Sequence, residues 1–206
     1  MADRAHLVCI SRAVAAEGEE IGRAVAERLG LQYVDEEIIR LAAEGAGIDA
    51  TAVAEAETPK SLVTRLVDAI DSLGGVVSQP SAWLARPGQK ALRTLIRDAV
   101  AMVGDRGHAV VVAHAASIAL GPRPGVLRVL ATASPERRVE RLYRSGLPNE
   151  QDAAAAVAES DRNRAQYLEQ FYGVREESPT LYDIVINTDR LSVDQAVAVI
   201  VAAVGG

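Results

Sequence analysis

The feature that most constrains this chain is an alternation. Short runs, apolar at nearly every position, are separated by stretches with a helical period. Residues 6–10 (HLVCI), 31–34, 109–113 (AVVVA), 126–131 and 182–187 form the runs. A strand that is apolar throughout, rather than at every second position, is covered on both faces. Between the runs, Ile21, Val25 and Leu29 recur at intervals of four and stop at Gly30, the pattern of an amphipathic helix with a glycine end. Helices are also expected over 36–44, 49–57 with Asp49 as cap, and along the stripe Leu62, Leu66, Ile70, Leu73 that follows Pro59. The period returns over 89–103, stopped by Gly104 and Gly107, and again over 114–120. Pro135 after Ser134 marks a helix start that runs to about residue 144. A turn spans 146–149, a long helix 150–172, and a final helix 192–204 with Ser192 as cap. Residues 74–90, with Gly74-Gly75, two prolines and Trp83, read as a loop, and the length of this segment is unusual for a plain connection. Strands alternating with helices predict an α/β fold, a parallel sheet between two helical layers. Ligands in such sheets sit beyond the carboxyl ends of the strands, here after residues 10, 35, 113, 131 and 187.

Composition narrows the function. At 206 residues, 49% hydrophobic and 24% charged, the chain suits one domain with its own core and is unlike a disordered chain. No run of 18 apolar residues suggests a membrane span. The opening MADRAH lacks the apolar stretch and cleavage site of a signal peptide, and the single Cys9 has no internal disulfide partner, so a cytoplasmic location is expected. A net charge of -6 argues against nucleic acid and anionic membrane as partners. Among 22 basic residues only Lys60 and Lys90 are lysines, so arginine supplies the anion contacts. No Gly-Lys pair, H-E-x-x-H, G-x-S-x-G or G-x-G-x-x-G occurs, and no cysteine or histidine cluster has metal-ligand spacing, so no metal site is expected.

The first strand, turn and helix are in the order of a phosphate loop, which needs close backbone approach and free N–H groups at a helix start. The residues there are Ser11-Arg12-Ala13-Val14-Ala15-Ala16-Glu17-Gly18-Glu19-Glu20-Ile21-Gly22. With Ile10 before them, they resemble the opening I-S-R-x-x-G-S-G-G-R-x-I-G of the cytidylate kinase-like family, a branch of the P-loop nucleoside monophosphate kinases. The stretch LGLQYVDEEII resembles that family's next segment. ESDRNRAQY (159–167) and PTLYDIVINT (179–188) resemble its later ones. The likeness is weakest over 58–100. It implies a three-layer P-loop kinase-like fold over 1–206, with a helical acceptor-binding insertion at about 49–100 and a lid at about 145–150. It also implies phosphoryl transfer from ATP, with Mg2+, to a nucleoside monophosphate, CMP or dCMP first; a homo-oligomer is compatible with it. By the same resemblance, Arg12, Arg137, Arg141 and Arg162 are the catalytic candidates. Ser11, Gly18, Asp35, His114, Asp161 and Arg164 are the nucleotide-binding candidates.

Each candidate has a plainer alternative. Asp35 could instead cap helix 36–44. Arg137, Arg138 and Arg141 could line a solvated face beside Glu136 and Glu140, and Asp161 could form a local pair with Arg164 across one turn. Two departures fall on the site itself. Ala15 and Glu17 stand where the family has glycines, and Glu19 where it has a basic residue. His114 stands where the family has an arginine, and imidazole offers no bidentate fork. A like-charge contact at about 4 Å costs roughly 4 kcal/mol at an effective dielectric near 20. Carboxylates at a helix start are favourable by about 0.3–1 kcal/mol each, so the loop could simply be a self-capped helix end. Two hypotheses follow: a working kinase, or a kinase-derived protein that binds a nucleotide or a protein without turnover.

Overall fold

Five parallel strands form one sheet in the order β2-β3-β1-β4-β5. They are β1 (Leu7–Arg12), β2 (Gln32–Asp35), β3 (Ala109–Ala113), β4 (Val126–Thr132) and β5 (Ile184–Asn187). The structure, a computed structural model, describes residues 6–35, 98–103, 105–113 and 115–205. The central strand is buried through Leu7, Val8, Cys9 and Ile10, and its neighbour β3, apolar throughout, is buried at every position. Burial pushes the Cys9 thiol well above its ordinary range, so Cys9 packs as a small apolar residue.

The helices are α1 (Gly18–Leu29), α2 (Ala116–Leu120), α3 (Pro135–Arg144), α4 (Glu150–Tyr172) and α5 (Val193–Gly205); residues 98–103 are also helical. α1 lies against the face carrying Ile10 and Val112. A Cβ at Gly22 would sit 2.4 Å from a Val112 methyl and 3.1 Å from the Tyr33 ring, so only glycine allows this approach. α5 packs beside α1. On the other face, Ser117 of α2 donates from its backbone N–H to Ser11 Oγ (3.2 Å). Its hydroxyl reaches the carbonyls of Cys9 (2.9 Å) and Val129 (3.1 Å). α3 packs against α4. Ser134 and Ser192 accept from the N–H groups of Arg137 and Gln195, as expected for caps, and Asn149 caps α4 by accepting from Asp152 (2.8 Å).

The last strand differs from the sequence reading. It begins at Ile184, not at residue 182, and it is not covered throughout: Val185 is 42% exposed. β5 is an edge, with β4 on one side only. Tyr182 closes a 3-10 turn over Pro179–Leu181, and Asp183 turns away to hold Arg128 through both carboxylate oxygens (2.6 and 3.1 Å). The α2 helix starts at Ala116 rather than at 114. The expected helices at 36–44, 49–57 and 62–73, the loop 74–90 with Trp83, and His114 lie outside the described residues, as does most of the expected insertion. Of helix 89–103 only 98–103 is described, and Ala99, Val100 and Val103 join the core there.

Candidate functional site

β1 ends in a turn at the stretch whose sequence resembles a phosphate loop. Ala13 N–H donates to the Ala131 carbonyl (3.1 Å), Ala16 N–H to the Ala13 carbonyl (3.2 Å), and Ile21 N–H to the Glu17 carbonyl (3.0 Å), which starts α1. Ala15 (φ 57°) and Glu17 (φ 60°) are both left-handed, a region that penalises an L-residue by about 1–2 kcal/mol. These are the two positions where the family pattern has glycine. A Cβ at Gly18 would lie 2.6 Å from Arg12 Cβ, so this position has to be glycine.

The loop carboxylates turn to arginines. Glu17 occupies the N-cap position of α1 yet makes no side-chain cap. Its carboxylate turns across to Arg141 Nη2 (2.9 Å). Of the carboxylates expected to answer the helix dipole, Glu19 and Glu20 stand in the first turn of α1, while Glu17 instead bridges to another element. Arg141 also donates to the Ala15 carbonyl (3.0 Å), to Thr188 Oγ1 (2.9 Å) and to the Thr188 carbonyl (2.8 Å). One guanidinium therefore ties the loop, α3 and the end of β5 together. Arg12 pairs with Glu19 of the first turn of α1 through a close Nε–carboxylate contact. Two arginines at the loop are each matched by a loop carboxylate.

A second cluster lies on the α2 face of the sheet. Arg164 of α4 is buried and donates to the Arg12 carbonyl (3.0 Å) and to Glu177 Oε2 (2.9 Å). Its other donor and the Tyr182 hydroxyl converge on Glu177 Oε1. Burial pushes the Glu177 carboxyl upward, but the Arg164 hydrogen bond and charge outweigh it and leave it below the ordinary range. Burial likewise works against the Arg164 charge, and Glu177 more than restores it. Arg138 holds Asp161 with two parallel bonds (2.7 Å each) and donates to the Ala133 carbonyl (3.2 Å). A cavity of about 210 Å³ lies between these pairs, walled by Ala13, Thr132, Arg138, Asp161, Arg164 and Glu177 among others.

The structure separates candidates that the sequence grouped. Asp161 and Arg164 do not pair with each other; each is held by a partner from another element. Arg137 pairs with Glu140 one turn on, in the open, while Arg141 from the same face reaches the loop. Arg162 is exposed. Ser11 is buried under α2, as the acceptor for Ser117. Asp35 is buried at the end of β2, where it accepts from the Tyr33 hydroxyl (3.0 Å) and from Arg23 (3.3 Å). The plainer alternative for Asp35, a cap on 36–44, falls outside the described residues. Tyr167 packs against both Phe171 and Tyr172, with ring centroids 4.8 and 5.8 Å away. Glu177 and Thr188, which complete the two clusters, carry no spacing signal: each lies in a turn and acts on a residue more than ten positions away.

Comparison with known proteins fits this fold. The sequence model of the cytidylate kinase-like family matches residues 7–190. An uncharacterized protein from Eubacterium ventriosum has a similar structure (TM-score 0.64, 15% identity, 97% of this chain and 98% of that one). So has shikimate kinase from Bacteroides thetaiotaomicron (TM-score 0.58, 14% identity, 97% and 98%). Shikimate kinase from Acinetobacter baumannii, solved with shikimate, follows at TM-score 0.53 and 14% identity, covering 98% and 95%. Among curated proteins, a uronate isomerase from Corynebacterium glutamicum is 34% identical over 113 residues, 54% of this chain but only 21% of that protein's length. The described sheet order, the loop backbone and the match over 7–190 agree: the chain belongs to the cytidylate kinase-like family.

Proposed function

We propose that this chain is a kinase-derived binding protein whose phosphate loop supplies its own anions and transfers no phosphoryl group. The observation that carries this reading is the fourfold capture of Arg141 by Glu17, Ala15 and Thr188. Phosphoryl transfer in P-loop kinases rests on cations and backbone N–H groups cradling the transferred charge, with Mg2+ bridging the phosphates. Here the Glu17 and Glu19 carboxylates take the arginine charges within the loop itself. A triphosphate entering this loop meets two like charges and finds its counterions engaged, so the loop as folded does not fit ATP with Mg2+. The left-handed backbone at Ala15 and Glu17 supports descent from a working loop, since nothing else in the turn needs that strained conformation.

The test is a coupled assay for ADP with ATP, Mg2+ and each monophosphate, CMP and dCMP first, beside a melting scan with the same ligands. No ADP and no ATP-dependent rise in melting temperature is the expected result. ADP formed in step with CMP by the unmodified chain would establish the alternative, an active cytidylate-type kinase.

A further inference from the structure

We propose that His6 and His108 form a two-imidazole site for a borderline divalent transition-metal ion such as Zn2+, at the end of the sheet opposite the phosphate loop. The two residues are 102 positions apart, and the pairing of β1 with β3 makes them neighbours. Their backbones are pinned: His108 N–H donates to the His6 carbonyl (2.6 Å), His6 N–H to the Gly125 carbonyl (3.0 Å), and Gln32 N–H to the His108 carbonyl (3.1 Å). Their ring centroids stand 5.9 Å apart at an interplanar angle of 36°. A metal–nitrogen bond of about 2.0–2.1 Å puts each imidazole centroid about 3.2 Å from the ion, so two ligating rings have centroids separated by about 5.2 Å at a tetrahedral angle and about 6.4 Å when opposed. The observed separation lies inside that window.

Two features show that the pair is held, not incidental. The His6 ring is lodged between Gly107 and Gly125: a Cβ on Gly125 would fall 2.2 Å from its Cε1, and one on Gly107 2.6 Å from its Cδ2. Both glycines are left-handed, at φ 71° and 77°. His108 is left-handed too (φ 59°), a conformation in which glycine would be easier, and yet an imidazole stands there. Both histidines are exposed, so neither ring is needed to fill the core. Among the described residues no group of three or more ligating side chains occurs, so of the ligands these residues can supply the proposed site has two. Imidazole nitrogen selects Zn2+, Ni2+ or Cu2+ over Mg2+, which prefers oxygen.

The experiment uses the full chain, stripped with a chelator and titrated calorimetrically with ZnCl2, NiCl2 and, as a control, MgCl2; melting is followed in parallel. One Zn2+ per chain and a saturable rise in melting temperature are expected, with no response to Mg2+, because an ion that binds only the folded chain stabilises it. His108→Gly keeps the left-handed backbone, and the apo chain is expected to fold at least as stably, yet it should lose the Zn2+ response. His6→Gln should lose it too, while His114→Ala, the remaining histidine, should retain it. A wild-type chain indifferent to Zn2+ and Ni2+, or a Zn2+ response that survives His108→Gly, would overturn the proposal and reduce the pair to an aromatic contact.

Discussion

Two groups of arginine–carboxylate pairs meet at Arg12, and they differ in kind. In the loop, Arg12 and Arg141 (14% and 17% exposed) pair with Glu19 and Glu17 (31% each). Behind the sheet, Arg164 (8%) closes on Glu177 (24%) with the Tyr182 hydroxyl, while also donating to the Arg12 carbonyl. The first group hangs on residues whose backbone conformation suits glycine better; the second hangs on ordinary helix and turn geometry. Arginines on adjoining helices of one fold thus serve different ends. Those behind the sheet hold α4 and the segment before β5 in place, and those at the loop close it on its own carboxylates.

Mutations can break this contrast or sharpen it. The largest effect is expected from Arg164→Ala, which removes a buried arginine and leaves the half-buried Glu177 and the buried Tyr182 without their cation. Loss of about 3–5 kcal/mol is expected in urea unfolding, the range for breaking a buried pair. Arg141→Ala should cost less, about 1.5–3 kcal/mol, because its carboxylate partner Glu17 is 31% exposed and water replaces part of what is lost. If Arg141→Ala costs as much as Arg164→Ala, the two groups are not different in kind.

Acid should act on the second group and on the separate Arg128–Asp183 pair beside the edge strand. Hydrogen bonds from Arg164 and Arg128 help to hold the Glu177 and Asp183 carboxyls below their ordinary values of 4.5 and 3.8. A carboxyl with a lowered pKa in the folded chain binds more protons when unfolded, so this stability is present above those values. It is lost as pH falls through them toward the lower folded values. Melting temperature should therefore fall below about pH 4.5, and Asp183→Asn should flatten that decline. A melting temperature unchanged down to pH 3 would contradict the pairing. Smaller still, Ala15→Gly should stabilise by about 0.5–1 kcal/mol by relieving the left-handed strain, roughly 1–4 °C in a chain of this size. Arg137→Ala should stay within about 0.5 kcal/mol, because its pair with Glu140 lies in the open.

Much of the fold is legible in the sequence because burial on both faces leaves a plain trace. β3 is five apolar residues in a row, and α1 repeats every four positions up to Gly30. The edge strand is less legible: Tyr182 and Asp183 look like strand residues, and their hydrogen bonds to Glu177 and Arg128 decide otherwise. At the site, the sequence shows which residues depart from the family, namely Ala15, Glu17 and Glu19. It does not show where their charges go. The partner of Glu17 lies 124 positions away and that of Arg164 in a turn without periodicity, so only the folded sheet brings them together. The same holds for His6 and His108, which no motif spacing links.

The most direct measurement is a calorimetric titration of ATP with Mg2+ into two chains, the wild type and the triple variant Ala15→Gly, Glu17→Gly, Glu19→Arg. If loop carboxylates are what exclude the triphosphate, the wild type should give no binding heat, and the variant, with Arg141 released and the loop relaxed, should bind. Saturable one-to-one binding by the wild type, no weaker than by the variant, would contradict it.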